Sequence, residues 1–291
     1  MRSWRLVGAL AAVALAVAGC SSGSGASTGP SASARAGQPV HVLYAGSLVN
    51  LMERDIGPKF AAASGYRYQG EGGGSAGLAN EIKGKVKQAD VFISAGPSVN
   101  HTLEGADNGN QVSWYATFAS SPLMIGYNAH SRFAADLTSK PWQQVLAEPG
   151  FRLGRTDPTT DPKGALAVQA LNQEGLTSLA ADQGEVFPET ELVGRLQSGQ
   201  LDAGFFYSAE ALPDRIPTIR ISPVSLGAAY TVTVLNSARD QAGAVAFVNY
   251  LLGHDGSSTL TADGFQLTSP PAVSGDAGAV PAGLHPLIPA P

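Results

Sequence analysis

Short apolar runs alternate with stretches of helical periodicity through the middle of this chain, and that alternation restricts it to α/β architecture with parallel strands. Residues 40–44, Val-His-Val-Leu-Tyr, have the pattern of a buried strand, which Ala45-Gly46-Ser47 breaks. Leu48, Leu51, Met52, Ile56 and Phe60 then recur at helical spacing, with Pro58 as the irregular element. Residues 66–69 predict a second strand. After Gly72-Gly73-Gly74-Ser75 a helix is marked by Leu78, Ile82 and Val86, and residues 91–95 predict a third strand. Further on, residues 123–128 form an apolar segment able to cross between lobes, and residues 152–155 a short strand. A helix runs through Ala165, Leu166, Gln169 and Leu171, and another carries Leu192 and Leu196 up to the Ser198-Gly199 stop. Residues 203–207 and 229–235 read as strands, the latter returning toward the first lobe. Residues 241–252 read as a late helix, and the Pro- and Gly-rich tail from Ser269 as surface chain.

The start of the chain has a different composition. Arg2 and Arg5 precede an apolar run over residues 6–18, too short for an ordinary spanning helix. Val17-Ala18-Gly19-Cys20 resembles a bacterial lipobox, which implies a signal peptide over residues 1–19 and a lipid on Cys20. Residues 20–39 are rich in Ser, Gly and Ala, a composition that buries no core and serves as a flexible tether. The remainder has the makeup of a folded body: 291 residues in all, 44% hydrophobic and 14% charged. A net charge of −5 offers no basic footprint for nucleic acid, and any bound anion must be held by local dipoles. The single cysteine excludes an intramolecular disulfide, and the five histidines show no ligand spacing.

Three predicted strands end at a small or polar residue where the next helix should begin: Ser47, Ser75 and Asp161. A helix start leaves N–H groups unpaired and carries partial positive charge, which suits an oxyanion. Serine adds a neutral donor there, and glycines at 46 and 72–74 let a ligand approach the backbone closely. In open α/β sheets such corners converge beyond the carboxyl ends of the strands. Any one of them alone also fits an ordinary helix cap, Asp161-Pro162 above all.

At these residues the sequence resembles the molybdate/tungstate-binding proteins of ABC transporters, the tungstate-type branch more than the classical molybdate branch. The resemblance is carried in order by Leu43-Tyr44-Ala45-Gly46-Ser47-Leu48, by Gly74-Ser75 through Ala89-Asp90-Val91, and by Trp114 to Ala119 with Leu123 to Tyr127. It continues through Trp142 to Leu146, Phe151-Arg152-Leu153-Gly154, Asp157-Pro158-Thr159-Thr160-Asp161-Pro162-Lys163-Gly164, and Ser198 to Tyr207. It implies a two-lobe type II periplasmic-binding-protein fold, each lobe a mixed sheet flanked by helices and joined by crossing strands. Lobe 1 would comprise residues 40–122 and 236–291, and lobe 2 residues 123–235. It further implies closure over a tetrahedral oxyanion, no cofactor, no turnover, partnership with an ABC permease and ATPase, and a monomer tethered to the cell membrane. The implied site is Ala45, Gly46, Ser47, Gly74, Ser75, Ser121, Asp161 and Tyr207. Asp161 matches a carboxylate that approaches the metal centre of the oxyanion; capping its helix, being protonated, or ligating that centre all remain open for it. The sequence departs from the branch at Phe206, where a second carboxylate is usual, with Glu210 four positions out of register. It departs again at Ser120 and Ser121, which replace an arginine and an asparagine.

Two other readings stand beside this one. Gly73-Gly74-Ser75-Ala76-Gly77 fits the nucleophile elbow of serine hydrolases, with Asp202 or Asp214 and His254 completing the order of a triad. A binding protein of the same fold for sulfate, phosphate or an organic acid is the other, although the matched turns hold no arginine fork for a carboxylate. Trp114, Tyr115 and Trp142 are expected to pack in the core, Asp157 to shape a turn, and Tyr44 to lie at or under the cleft edge. Glu185, Glu189 and Glu191 are expected in a solvated loop or helix start.

Overall fold

The computed structural model describes residues 37–289. The signal segment, Cys20 and nearly all of the tether lie outside those residues. Nine strands form one curled sheet in the order β2-β1-β3-β8-β4-β6-β5, with β7 and β9 also paired to β4. The strands are β1 (Pro39–Ala45), β2 (Arg67–Gly73), β3 (Val91–Ser94), β4 (Trp114–Tyr127), β5 (Leu153–Gly154), β6 (Ala203–Tyr207), β7 (Thr218–Arg220), β8 (Gly227–Val234) and β9 (Gln266–Gly275). β1 runs parallel to both β2 and β3, as the strand–helix alternation predicts.

The long strand β4 joins two halves of the molecule. Up to Pro122 it pairs with β8, and from Leu123 it pairs with β6. The antiparallel register sets Tyr207 opposite Leu123, at the point where β4 changes partner. On the far side of the sheet, Ala45 is the register partner of Gly73, so the turns carrying Ser47 and Ser75 leave β1 and β2 side by side. These two registers bring corners from distant parts of the sequence to one seam.

Packing follows the apolar pattern. Phe60, Tyr66 and Phe247 are buried together, with the Phe60 and Phe247 rings edge to face at 5.1 Å. Each such buried side chain contributes about 1.5–3 kcal/mol. Trp114, Tyr115 and Trp142 are core residues, and the indole N–H of Trp142 donates to Ser222 O at 3.1 Å. Tyr44 is buried under the seam and donates to Glu53.

Several boundaries differ from the expectation. Pro58 does not end its helix: a π-helical stretch over Met52–Ile56 precedes the helix Gly57–Ser64, which places proline at the start of a new segment, where its missing N–H is tolerated. The helix at Ser75 stops at Lys83, and Val86 beyond it is 76% exposed rather than packed. β2 extends through the glycines to Gly73, held by its ladder to β1. The tail at Ser269 lies on the surface as expected but begins inside a strand, β9, paired with β4; Pro270 and Pro271 fall between the two stretches of register on either side of the shift at Thr117/Ala119.

Candidate functional site

The corner at Gly46–Leu48 is a single 3-10 turn following β1. Ser47 is buried, and its Oγ lies 3.1 Å from the hydroxyl of Tyr230 on β8. One of the two hydroxyl protons serves that bond, so the pair keeps one proton to give. Ser75 opens the helix Ser75–Lys83 and is fully buried. Its Oγ accepts from the N–H of Ala95 at 3.1 Å, which leaves its O–H free to donate. Asp161 caps the helix Pro162–Gln173, its Oδ1 accepting from Lys163 N–H at 2.9 Å. Gly164 in the same motif is required by closeness: a Cβ there would stand 2.4 Å from Thr156 O.

The two halves touch at these corners. Gly77 N–H donates to Thr160 O at 3.0 Å across the seam. A Cβ on Gly74 would meet Thr160 O at 2.5 Å, and one on Gly46 would meet Glu189 Oε2 at 2.5 Å. At Gly74, where the neighbour is backbone, only glycine permits this approach; at Gly46 a larger residue would displace the Glu189 side chain. Beside the seam a cleft of about 380 Å³ is lined by Gly72–Gly74, Thr156, Asp161 and Glu189, among others.

Beneath the corners lies a cluster of charge that the sequence does not announce. Lys163 is fully buried, and its Nζ donates to Glu210 Oε1 at 2.8 Å and Oε2 at 2.9 Å. Glu210 Oε2 also accepts from Tyr207 N–H at 3.3 Å. Glu189 Oε1 stands 3.4 Å from the same ammonium, near enough for an ion pair but not aligned as a hydrogen bond. Tyr207 and Tyr230 meet edge to face at 6.0 Å, which links this cluster to Ser47. Burial raises the carboxyl groups of Asp161 and Glu210 above their usual range, with the nearby Lys163 ammonium opposing it. Burial likewise pushes the Glu189 carboxyl up to about 8, reinforced by Asp161. The Tyr207 and Tyr230 hydroxyls are raised by the same loss of solvent and stay protonated.

Several buried polar atoms here are unmet among the described residues: Tyr207 OH and both oxygens of Glu189 have no hydrogen-bond partner, and Thr156 Oγ1 and Asp161 Oδ2 have none beyond each other. A buried polar atom left unmet costs about 1–3 kcal/mol, so a cluster of them at a seam marks a place built to meet something polar.

The structure therefore brings Gly46, Ser47, Gly74, Asp161 and Tyr207 to one seam, with Ala45 and Ser75 at the strand and helix ends that lead into it. Ser121 is employed differently: its Oγ bonds Ser208 Oγ at 3.0 Å and accepts from Ala209 N–H at 3.0 Å, holding the turn after β6. Phe206 is buried with Leu192, Leu196 and Ile216 and offers no polar group. Asp157 shapes its turn by accepting from Thr159 N–H at 2.8 Å. Glu189 corrects the expectation of solvation: it opens a helix as read, but it is only 6% exposed, because that helix start packs against Gly46. Lys163, Tyr230 and Thr156 were not among the residues expected at the site. The one local trace of the buried cation in the sequence is a lysine set between Asp161-Pro162 and Gly164.

The elements of a hydrolase triad are not assembled. Asp202 accepts from Arg152 and Ser131, Asp214 accepts from Asn50 and Arg54, and His254 is exposed at a helix start. Among the described residues no helix is long and apolar enough to cross a membrane.

Comparison with known proteins agrees with this geometry. The profile of the bacterial extracellular solute-binding proteins matches residues 40–266. A putative ABC transporter molybdenum-binding protein of Haloferax volcanii is 30% identical over 221 residues, covering 73% of this chain and 66% of that relative, just under two thirds of its length. The molybdate/tungstate-binding protein WtpA of Thermococcus kodakarensis is 22% identical, with 77% of each chain covered. Among solved structures, the periplasmic molybdate-binding protein of Azotobacter vinelandii superimposes with a TM-score of 0.64 at 20% identity, covering 79% of this chain and 99% of that one. That likeness is one of fold, the two-lobe architecture of periplasmic binding proteins.

Proposed function

The chain belongs to the bacterial extracellular solute-binding protein family, and from that premise we propose that it captures molybdate or tungstate between its lobes and delivers it to an ABC importer. The observation that carries this reading is the set of buried, partnerless polar atoms at the interlobe seam, framed by serine-bearing helix starts. A small tetrahedral dianion has four oxygens to satisfy and no shape to read beyond its size. Hydroxyls of Ser75, Thr156 and Tyr207, with the one proton left to the Ser47–Tyr230 pair, supply neutral donors from different directions, and the helix start at Ser75 adds backbone N–H groups. Neutral donors suit a metal oxyanion, since they replace its hydration without demanding the planar match of an arginine fork.

Closure is part of the function. The contacts of Gly46 with Glu189 and of Gly74 and Gly77 with Thr160 seal the seam, and hinge bending along β4 and β8 is the motion that would open it. Cys20 is assigned the lipid anchor that keeps a monomeric protein at the outer face of the membrane, beside its permease. The names of its relatives, molybdenum-binding and molybdate/tungstate-binding, support the choice of ligand.

Calorimetric titration of the purified protein with molybdate, tungstate, sulfate, phosphate and chromate tests the reading. Binding of molybdate or tungstate at least about tenfold tighter than sulfate, a difference of about 1.4 kcal/mol, is expected. Binding of none of these anions, or of phosphate alone, overturns it.

A further inference from the structure

Glu189 differs from the other carboxylates of the seam. Asp161 gives one oxygen to its helix cap, and Glu210 receives two short bonds from Lys163. Glu189 has only an unaligned ion pair, Oε1 standing 3.4 Å from Lys163 Nζ, and neither of its oxygens has a hydrogen-bond partner among the described residues. The side chain starts in lobe 2, lines the cleft beside Thr156 and Asp161, and ends against Gly46, one residue from Ser47. It is thus a buried pair of oxygens aimed at the place where an anion would be held.

The charges disfavour an ionised Glu189 in a liganded seam. Four elements present ionisable groups to it: Lys163 and the cap Asp161 at the helix Pro162–Gln173, Glu210 in the turn after β6, Tyr207 at the end of β6, and Tyr230 on β8. The Gly46–Leu48 turn brings no charge. Lys163 is the cation of the group, and its short bonds go to Glu210. An incoming dianion would join Asp161 and Glu189 with that cation already engaged.

We propose that Glu189 contacts the bound oxyanion as a neutral carboxyl group, one oxygen donating its O–H to an oxygen of the ligand, so that capture of the dianion takes up one proton from solvent. The proton stays on Glu189 while the ligand is bound and returns to solvent on release. No bond in the ligand changes. This inference rests on the oxyanion reading above. The environment supports it: with the seam closed, burial and Asp161 push this carboxyl up to about 8, against Lys163. Above that pH the free protein holds Glu189 ionised and must bind a proton together with the anion. Below about 7 the proton on Glu189 is already in place, and its uptake no longer contributes to the pH dependence of affinity.

The experiment is calorimetry of molybdate binding to wild type and to Glu189→Gln at pH 6.5 and pH 9.5, each in two buffers of different ionisation enthalpy. Wild type is expected to take up about one proton at pH 9.5 and none at pH 6.5, and to bind about thirtyfold more weakly at the higher pH. Glu189→Gln keeps an N–H donor and cannot titrate, so it should bind within about threefold of wild type at pH 6.5, show the same affinity at both pH values and exchange no proton. Molybdate binding to wild type without proton uptake at pH 9.5 overturns the inference while leaving the oxyanion reading intact. So does a Glu189→Gln variant that still takes up a proton, since Asp161 or Glu210 would then be the acceptor. Absence of binding by molybdate and tungstate at every pH overturns the oxyanion reading and this inference with it. If Glu189→Gln does not fold, Glu189→Met takes its place in the same assay and must likewise exchange no proton.

Discussion

Replacing Lys163 with Met examines whether the buried cluster is a genuine electrostatic unit. In the wild type the ammonium makes bonds of 2.8 and 2.9 Å to Glu210 and stands 3.4 Å from Glu189, fully buried. Methionine fills the same volume but leaves Glu210 with only the Tyr207 N–H at 3.3 Å. Removing one partner of a buried pair strands the other charge, at a cost of about 3–5 kcal/mol. For a body of this size each kcal/mol moves the melting temperature by about 2–4 °C, so the variant should melt roughly 6–20 °C lower at pH 8. The sign of the pH effect follows from Glu210, which burial raises and Lys163 lowers. Without the lysine its folded pKa rises further. The stability it contributes is then complete below the unfolded value and lost as pH climbs through the folded one, so the deficit should shrink at pH 5. The double variant Lys163→Met with Glu210→Met replaces the pair by apolar groups and should recover most of the loss. Circular-dichroism melts at the two pH values read all of this. A single variant melting within about 2 °C of wild type at pH 8 would refute the reasoning.

Further outcomes follow from the same geometry. Tyr207→Phe removes a hydroxyl that has no hydrogen-bond partner among the described residues, so its melting temperature should stay within about 2 °C of wild type while anion affinity falls about five- to tenfold; equal affinity by calorimetry would remove Tyr207 from the site. Gly74→Ala sets a Cβ 2.5 Å from Thr160 O in the other half, so it should hold the seam apart and weaken binding at least about tenfold, seen by calorimetry with a larger radius of gyration in small-angle scattering of the liganded protein. Asp202 is held below the usual carboxylate range, burial being outweighed by bonds from Arg152 and Ser131. Its contribution is therefore present above the unfolded pKa and lost as pH falls through the folded one, and Asp202→Asn should flatten the acid limb of the stability curve in urea titrations from pH 5 to pH 2.

Much of the fold was written locally. The strands at 40–44, 91–95 and 203–207 and the helix at 241–252 follow from apolar runs and spacing, and the corners at Ser47, Ser75 and Asp161 from small residues placed where helices must begin. The misread segments are those decided by partners far away. β9 forms because β4 offers it a ladder, although Pro270 and Pro271 argue against a strand from the sequence alone. Glu189 reads as solvated because isolated glutamates usually are; its burial arises only when the helix it opens meets Gly46, a contact invisible to periodicity. Phe206 suggested a site short of one carboxylate, yet the seam holds three, Asp161, Glu189 and Glu210, drawn from separate segments around one lysine. The residues that shape a corner can be read one at a time, whereas the residues that set its charge are fixed by tertiary structure.

Anomalous diffraction at the tungsten absorption edge, from crystals grown with tungstate, bears most directly on the claim that the interlobe seam is an oxyanion site. A single strong peak is predicted between the two halves, within hydrogen-bonding reach of ligand oxygens from Ser47, Ser75, Tyr207 and Glu189. A peak on the outer surface, or none at saturating tungstate, would contradict it.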